Sequence, residues 1–466
     1  MTRRARRLVA VFSWAAFLIA VPLVVGYSLG HRVSPTSPVP APVGAFLIRT
    51  FPRGATVFIN EKKYSSKTPT AVRSLAPELY TVRLEKAGYR SWEKRLGIRG
   101  TRVTDIRHVR LIPAAIEEDI VRRNVLDFSI SPKEQWLTLI EEAPRGKRLR
   151  IVPLDQFLEP GILADIRLEK KEQVSFLWAP SEERFMLVVS GGTRRYLVVD
   201  TSTGRASQMR GIDEMFEWLP GSTDRFVARR GSDAVVRSLP RNDDIILSRR
   251  ASSIAVFRGG TIVVEQQEGA LTQGGPPTLR VFSGTGTFLE TLPTPPLDGQ
   301  RVSSISASPF GDLALLTFPN QHLFLWDNST RAWRRVAEHA EHLQWSPDGE
   351  KVLWQSSEFE IWVMNIRERR AVLPRFVPEL VVRLSVAVRD VRWFAGSQHV
   401  LFLERDVVQL AEIDGRDSHH IESLLGTNLG DGRAQVTEDG ATIFATGRRE
   451  DASVLLRAFL RIPQDR

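Results

Sequence analysis

The feature that most constrains this chain is a short turn motif that recurs along its C-terminal three-quarters. The clearest copy is W-S-P-D-G at residues 345–349, and it lies between two strand-like runs. Pro347 fixes its own φ, Asp348 can accept a hydrogen bond from the turn backbone, and Gly349 tolerates a positive φ. Two β runs joined by such a turn are typical of a hairpin.

The motif recurs at a nearly constant spacing. The first position of each copy, here called the tryptophan slot, is Trp in the four best copies and falls at 130, 257, 307 and 436 in the weaker ones. The first and last of these eight positions are 306 residues apart, which is seven steps of about 44 residues. That period is typical of a propeller blade of four short strands. The pattern predicts an all-β propeller over 115–466 with eight blades, or seven if the copy near Phe257 is not a blade. The tryptophans are Trp178, Trp218, Trp345 and Trp393.

A blade cannot bury its two faces alone, so neighbouring blades must stack. We therefore expect the four tryptophans to pack between blades, and Asp348 and Asp439, each followed by a glycine (Gly349 and Gly440), to cap turns. In the sixth copy the expected strands are 342–345, 350–356, 360–366 and 371–376. The eighth copy lacks room for a fourth strand, and residues 116–122 belong to no repeat. We expect 116–122 to complete the last blade and close the ring.

These motif residues resemble the TolB-like propeller repeat, which is also WD-repeat-like and has W-S-P-D-G before an apolar strand. The sixth copy matches fully, and the others match in part. The resemblance implies a fold and no particular chemistry, because propellers serve many functions.

The N-terminus has the pattern of a membrane anchor. Residues 3–7 contain four arginines, and residues 8–29 are uncharged and mostly apolar, which is long enough for a transmembrane helix. The arginines favour a cytoplasmic N-terminus. We expect residues 1–30 to form a basic stub and an uncleaved single-pass anchor, with a cleaved signal peptide as the alternative. The proline-rich residues 31–44 are expected to be an extended linker.

Residues 45–113 have the pattern of a small β domain. They contain a strand, P-x-G-A, a second strand, T-P, Y-x-V-x-L and G-Y in that order. This series resembles a PEGA domain, which implies a small extracytoplasmic β-sandwich that serves surface or envelope interactions. Arg53, Asn60-Glu61 and Glu78 depart from the family pattern, all at turns. The motif positions are Pro52, Gly54, Ala55, Thr68, Pro69, Tyr80, Gly88 and Tyr89.

Signals for chemistry are sparse. Cysteine is absent, and the chain contains no G-x-S-x-G elbow, Walker loop or dinucleotide-binding glycine pattern. His419-His420 follows Asp414 and Asp417 in a polar stretch, which exposed loop polarity explains as well as a metal site does. We predict no catalytic residue, no cofactor and no metal. The net charge of +10 indicates either a solvated basic surface or an anionic partner.

The sequence therefore predicts a membrane-anchored, extracytoplasmic binding or scaffold protein of the cell envelope. Its bulk would lie outside the cytoplasm, and its partners would be an envelope protein or a surface glycan, and no nucleic acid. We expect it not to be an enzyme. The alternatives are a propeller-based hydrolase or lyase, or a ligand sensor, with a site in the central funnel.

Overall fold

The structure of the chain is a computed structural model, which describes residues 3–28, 31–34, 37–239, 243–265, 276–368, 372–428 and 432–462. The chain divides into two compact units. The first contains Met1–Ala115, Gly415–Ser418 and Arg461–Arg466, and the second contains Ile116–Asp414 and His419–Leu460.

The N-terminal segment corrects one prediction. A helix, α1, runs over Arg3–Ser28, and β1 (His31–Ser34) pairs antiparallel with β2 (Ser37–Pro42). The prediction of a transmembrane helix over 8–29 is wrong, because no described helix is long and apolar enough to cross a membrane. Positions 29, 30, 35 and 36 lie outside the described residues.

The first unit contains a β-sandwich, here called the N-terminal sandwich. A three-stranded sheet has the order β6-β3-β9, and a four-stranded sheet has the order β5-β4-β7-β8. Strands β7 and β8 alternate between core and solvent: in β7, for example, Tyr80, Val82 and Leu84 are buried and the residues between them are not. The strands are β3 (Gly44–Phe51), β4 (Thr56–Ile59), β5 (Lys62–Lys67), β6 (Thr70–Leu75), β7 (Leu79–Glu85), β8 (Trp92–Gly97) and β9 (Val103–Arg110).

The second unit is a β-propeller. Across its described residues the strands form eight four-stranded sheets, here called blades one to eight. Blades one to seven each take four consecutive strands in chain order. They are β11–β14 (Val125–Ile130, Trp136–Ala143, Gly146–Pro153, Ile162–Leu163), β15–β18 (Gln173–Trp178, Arg184–Ser190, Arg195–Asp200, Ala206–Met209), β19–β22 (Glu214–Trp218, Arg225–Arg230, Asp233–Ser238, Asp243–Ser248), β23–β26 (Ala251–Phe257, Gly260–Glu265, Thr278–Phe282, Phe288–Leu292), β27–β30 (Arg301–Ala307, Leu313–Phe318, Leu323–Asp327, Ala332–Ala337), β31–β34 (Glu341–Trp345, Lys351–Ser357, Glu360–Asn365, Pro378–Arg383) and β35–β38 (Val388–Trp393, His399–Glu404, Val407–Glu412, Ile421–Gly426).

The second and third strands of each blade are the most deeply buried, because a neighbouring blade covers each of their faces. In blade five, every residue of the third strand, Leu323–Asp327, is buried. Apolar clusters join consecutive blades; one of them combines Leu353 and Val363 of blade six with Val400 and Phe402 of blade seven. The first strands of neighbouring blades approach one another, so they surround the centre of the ring, and the fourth strands form its outer rim.

Blade eight closes the ring as the sequence predicted. Its order is β10-β41-β40-β39, in which β10 (Glu118–Arg123) precedes blade one in the chain and β39 (Ala434–Val436), β40 (Thr442–Arg449) and β41 (Ala452–Phe459) end the propeller. The β10 strand runs antiparallel to β41, with Glu118 opposite Ala458 and Arg123 opposite Val454. The first and last parts of the domain therefore share one sheet.

Two details of the repeat needed the structure. The weak copy near Phe257 belongs to a complete blade, blade four. In blade six the fourth strand is Pro378–Arg383, whereas the sequence placed it at 371–376. Residue 371 lies outside the described residues, and Phe376 has a φ of 58°, which an extended strand does not adopt.

Candidate functional site

The predicted turn residues form a compact hydrogen-bonded unit. The Asp348 carboxylate accepts hydrogen bonds from the Ser346 hydroxyl and, at 3.0 Å, from the Glu350 amide, and it lies 3.4 Å from the Lys351 ammonium. Burial opposes ionisation of Asp348, but these contacts outweigh it and lower the pKa of the carboxyl below its ordinary value. Pro347 is exposed.

The same turn recurs in blade eight. Asp439 accepts from the Thr437 hydroxyl at 2.7 Å and from the Ala441 amide at 2.8 Å. The glycine that follows each aspartate has a positive φ, 71° for Gly349 and 69° for Gly440. A Cβ on Gly349 would come within 2.7 Å of Pro309 in the adjacent blade, so this turn also needs glycine for close approach. The geometry supports turn capping for both aspartates.

The four predicted tryptophans all reach back to the first strand of the preceding blade. Each indole Nε1 donates a hydrogen bond there, and the distances lie between 2.8 and 3.3 Å. Trp218 and Trp393 are buried, whereas Trp178 and Trp345 are half-buried. The donor and acceptor pairs are Trp178 with Ser129 Oγ, Trp218 with Leu177 O, Trp345 with Ser306 Oγ, and Trp393 with Gln344 O.

Polar side chains on the first strands reach the other way, to the next blade. Gln344 Nε2 donates to the Val391 carbonyl at 2.6 Å, and Asp390 Oδ2 accepts from the Ala434 amide at 2.8 Å. Gln435 Oε1 accepts from the Ile130 amide at 2.8 Å and so links blade eight to blade one. The ring centre, meaning the surface of the eight first strands, therefore has tryptophans that bond to the preceding blade in four blades and polar side chains that bond to the following blade in three.

Charged groups collect at the ring centre where blades seven, eight and one meet. Arg392 pairs with Asp390 at 2.8 Å, and Arg433 pairs with Asp127 at 3.2 Å. Burial raises the pKa of Asp127 above its ordinary value, although Arg433 and the Phe128 amide act in the opposite direction. In these two pairs each arginine is matched by one aspartate.

Another carboxyl, that of Glu217, lies on the first strand of blade three. Glu217 is exposed to solvent, yet protein surrounds it closely enough to raise its pKa to about 7 by desolvation. Desolvation by the surrounding protein disfavours the charged form of the carboxyl and is the cause of this shift. A carboxyl that titrates near neutral pH is a candidate functional group.

We expect Glu217 to make stability pH-dependent. Its pKa is higher in the folded chain than its ordinary value of 4.5, so folding disfavours the charged form. Stability should fall as pH rises from about 4.5 to about 7, and the loss should persist above that range. Glu217→Gln should raise the melting temperature at pH 8 and leave it unchanged at pH 4, as measured by thermal unfolding. Glu183→Gln removes the same charge at another exposed glutamate and should change neither melting temperature. Equal dependence of the melting temperature on pH in Glu217→Gln and the wild type would contradict the assignment.

The motif residues of the N-terminal sandwich lie mostly in its core and turns. Thr68 is buried; its hydroxyl lies 2.6 Å from that of Thr50 and accepts from the Ala55 amide at 2.9 Å. Tyr80 donates to the Ala76 carbonyl at 3.1 Å. The remaining motif positions are Pro52, Ala55 and Tyr89, which are buried, Pro69, which is exposed, and Gly54 and Gly88, which have φ of 87° and 82°.

One margin of this sandwich is strongly basic. Strands β5 and β6 are the edge strands of the two sheets and follow each other through Thr68-Pro69. The turn before β4 lies beside them, because the Gly54 amide donates to the Thr68 carbonyl at 2.8 Å. This margin, here called the basic edge, presents exposed cations for which no carboxylate partner is found among the described residues: Arg53, Lys62, Lys63, Lys67 and Arg73.

The basic edge reflects an uneven distribution of charge along the chain. Residues 43–110 contain 15 Lys and Arg against 5 Asp and Glu, a net charge of +10. Residues 111–466 contain 44 Lys and Arg against 49 Asp and Glu, a net charge of −5. The positive charge of the whole chain therefore comes from its N-terminal quarter, and the propeller is mildly acidic.

The histidines singled out from the sequence contact separate carboxylates. His419 Nε2 lies 3.4 Å from Glu379, and His420 Nε2 lies 2.8 Å from Glu422. Among the described residues no group of three or more His, Asp or Glu side chains is arranged to hold a metal ion.

Sequence reasoning missed the polar groups of the ring centre. The repeat was recognised from the tryptophan slot and the turn that follows it. The polar groups occupy positions one and three residues before that slot, as Glu217, Arg392, Asp127, Asp390 and Arg433 do. Aligning the eight copies at those two positions would have revealed them.

Comparison with known proteins identifies the N-terminal domain. Residues 43–110 match the model of the PEGA domain. No match to a curated protein is found for this sequence.

Solved structures resemble the chain at low sequence identity. The propeller of Dos1 has 11% identity and a TM-score of 0.49, with 73% of this chain and 93% of that chain covered. The β-propeller domain of Cps50 (Swd1) from Myceliophteria thermophila has 13% identity and a TM-score of 0.43, with coverages of 73% and 99%. Oligogalacturonate lyase in complex with manganese has 11% identity and a TM-score of 0.43, with coverages of 75% and 98%. The chain thus carries a PEGA domain at residues 43–110, followed by a β-propeller.

Proposed function

We propose that this chain is an extracytoplasmic binding or scaffold protein of the cell envelope, and that its PEGA domain binds an anionic polymer, such as an acidic surface glycan, through the basic edge. The proposed role is one of binding and not of catalysis. The propeller contributes a second, mildly acidic binding surface for another partner.

The observation that carries this proposal is the concentration of charge. A net charge of +10 lies within 68 residues, and five exposed cations line one margin of the sandwich. Lysines on an edge strand also protect it from pairing with other chains. Four exposed cations on the two edge strands, together with Arg53 in the adjoining turn, present a surface that suits a flexible polyanion.

The chemistry of the edge suits a polymer better than a small ligand. Lys62, Lys63 and Lys67 lie on an edge strand whose residues are exposed at five of six positions, so their charges face solvent. Binding then depends on summed charge attraction and is screened by salt, with a Debye length of about 10 Å at 0.1 M. The expected partner is therefore long, acidic and bound weakly at each contact.

The test is binding of the full chain to alginate, an acidic polysaccharide, with neutral dextran as the comparison. We expect alginate alone to bind, and raising salt from about 50 to about 300 mM to weaken that binding strongly. Replacing Lys62, Lys63 and Lys67 together by Gln should weaken it about ten-fold, since three exposed contacts contribute about 0.5 kcal/mol each. Affinity electrophoresis through gels containing each polymer measures this.

The matched control removes the same charge elsewhere. Lys133, Lys170 and Lys171 are exposed lysines of the propeller, and their joint replacement by Gln should leave alginate binding unchanged. Equal weakening by the two triple variants would show that net charge alone matters, and the basic edge would lose its role. Equal retention on dextran and alginate would reject an anionic partner.

A second candidate function is ligand binding at the ring centre, as in a sensor or a propeller hydrolase or lyase. Glu217 favours it, because a carboxyl with a pKa of about 7 suits either a cationic ligand or proton transfer. Loss of a small-molecule thermal shift in Glu217→Gln, with alginate binding intact, would favour this candidate.

A further inference from the structure

A cavity of about 550 Å³ opens between blades two and three, away from the ring centre. Its walls come from the second, third and fourth strands of blade two and from the third strand of blade three. That volume lies within the range of small-molecule sites in proteins. This space is here called the arginine cavity, because its lining includes Arg184, Arg210 and Arg237.

Arg237 is a fixed part of the wall. Only 6% of it is exposed, and it makes a two-pronged contact with Asp244 at 2.7 and 2.8 Å. Its Nη1 also donates to the Arg210 carbonyl at 2.7 Å, which ties the end of blade two to blade three. These contacts fix the position of the Arg237 guanidinium in the cavity wall.

The other two arginines leave the cavity with excess positive charge. Arg184 is half-buried and Arg210 is exposed, and in the described part of the chain neither side chain has a carboxylate partner. Asp244 neutralises only part of the cluster, since it also pairs with Arg230 at 2.7 Å. Guanidiniums that converge on one space without a counter-charge favour an anion there, and their planar fork matches carboxylate and phosphate.

The floor of the arginine cavity is apolar. Val198 is 8% exposed and belongs to the core cluster between blades two and three, and Met209 and Leu239 pack against that cluster. A ligand therefore meets cations at the mouth and hydrocarbon beneath them.

We propose that the arginine cavity binds a small amphipathic anion, with a phosphate or carboxylate held by Arg184 and Arg210 and an apolar group packed on Val198, Met209 and Leu239. Inorganic phosphate fills only the polar part of this site, and an uncharged alkyl chain only the apolar part. The proposal is independent of the basic edge, which lies in the other unit of the chain.

The probe is octyl phosphate, titrated calorimetrically into the full chain, with inorganic phosphate and octanol as its two halves. We expect saturable one-to-one binding of octyl phosphate that is at least about ten-fold tighter than that of either half. Arg184→Gln and Arg210→Gln should each weaken it about ten-fold, as loss of a charge-assisted hydrogen bond does. Arg194→Gln, an exposed change at the opposite end of the same strand pair in blade two, is the matched control and should have no effect.

Arg237 is left intact because its replacement would also break the contact between the blades. A chain with Lys62, Lys63 and Lys67 replaced by Gln should bind octyl phosphate like the wild type, which separates this site from the PEGA domain. Equal weakening by Arg194→Gln, equally tight binding of octanol, or no heat with octyl phosphate up to about 5 mM would overturn the proposal.

Discussion

Deleting residues 115–123 is expected to unfold or aggregate the propeller. The deletion removes β10, the strand that completes blade eight, and leaves β41 with an unpaired edge. An exposed edge of this kind pairs readily with other chains. The deletion also removes Val121, whose buried side chain contributes about 1.5–3 kcal/mol to the free energy of unfolding. Size-exclusion chromatography and thermal unfolding of the full-length deletion variant measure both effects.

Further contacts support the pairing of β10 with β41 that closes the ring. Beside the strand pairing, Arg449 lies 2.9 Å from Glu118, Arg123 lies 3.1 Å from Glu450, and the Asn124 amide donates to the Ser453 carbonyl at 2.7 Å. These contacts join positions more than 300 residues apart in the chain. The ring is therefore held by non-local contacts that no other blade can replace.

Two controls separate closure from general disturbance. Removing nine residues of the proline-rich segment, 33–41, shortens the chain equally and should leave propeller melting unchanged. Within β10, Val121→Asp places a charge in the apolar cluster with Val125 and Phe128, whereas Ile120→Asp alters a side chain that is 40% exposed. We expect only Val121→Asp to lower the melting temperature strongly. A deletion variant that stayed monomeric with unchanged melting would rule out the closure as a stabilising contact.

The sequence predicted the repeat well because its signal is local. An apolar residue, which is tryptophan in four copies, a turn and an apolar second strand recur within a few residues of one another, so each blade carries its own evidence. The closure also followed from counting, because 116–122 had no other partner. The resemblance to the PEGA domain likewise rested on turn residues that sit where their backbone geometry requires them, as Gly54 and Gly88 do.

The rest depended on contacts that no short stretch contains. The fourth strands lie on the outer rim, so their apolar pattern is weak; Phe288–Leu292 is exposed at four of five positions. The β5 strand, Lys62–Lys67, is almost entirely polar and is a strand only because β4 pairs with it. The ring centre and the arginine cavity each combine residues from different blades.

Replacing Trp393 by Ala should destabilise the propeller by about 3–5 kcal/mol, the usual cost of removing a large buried aromatic side chain. Trp393 is only 8% exposed, and its ring belongs to the cluster that joins blades six and seven. Trp345 is half-buried, so we expect Trp345→Ala to cost less than Trp393→Ala. Urea unfolding of both variants, followed by intrinsic fluorescence and circular dichroism, gives the two free energies.

The conservative change Trp393→Phe divides the cost between packing and hydrogen bonding. Phenylalanine keeps most of the buried ring but cannot donate to the Gln344 carbonyl, a hydrogen bond of 3.3 Å. We expect Trp393→Phe to lose about 0.5–1.5 kcal/mol for that bond, together with a smaller cavity term. If Trp393→Ala instead kept its unfolding midpoint while a binding activity of the propeller disappeared, Trp393 would be a ligand-contacting residue. If the indole packs on blade six, Trp393→Ala lowers the unfolding midpoint. If it contacts a ligand at the ring centre, the midpoint stays and binding is lost.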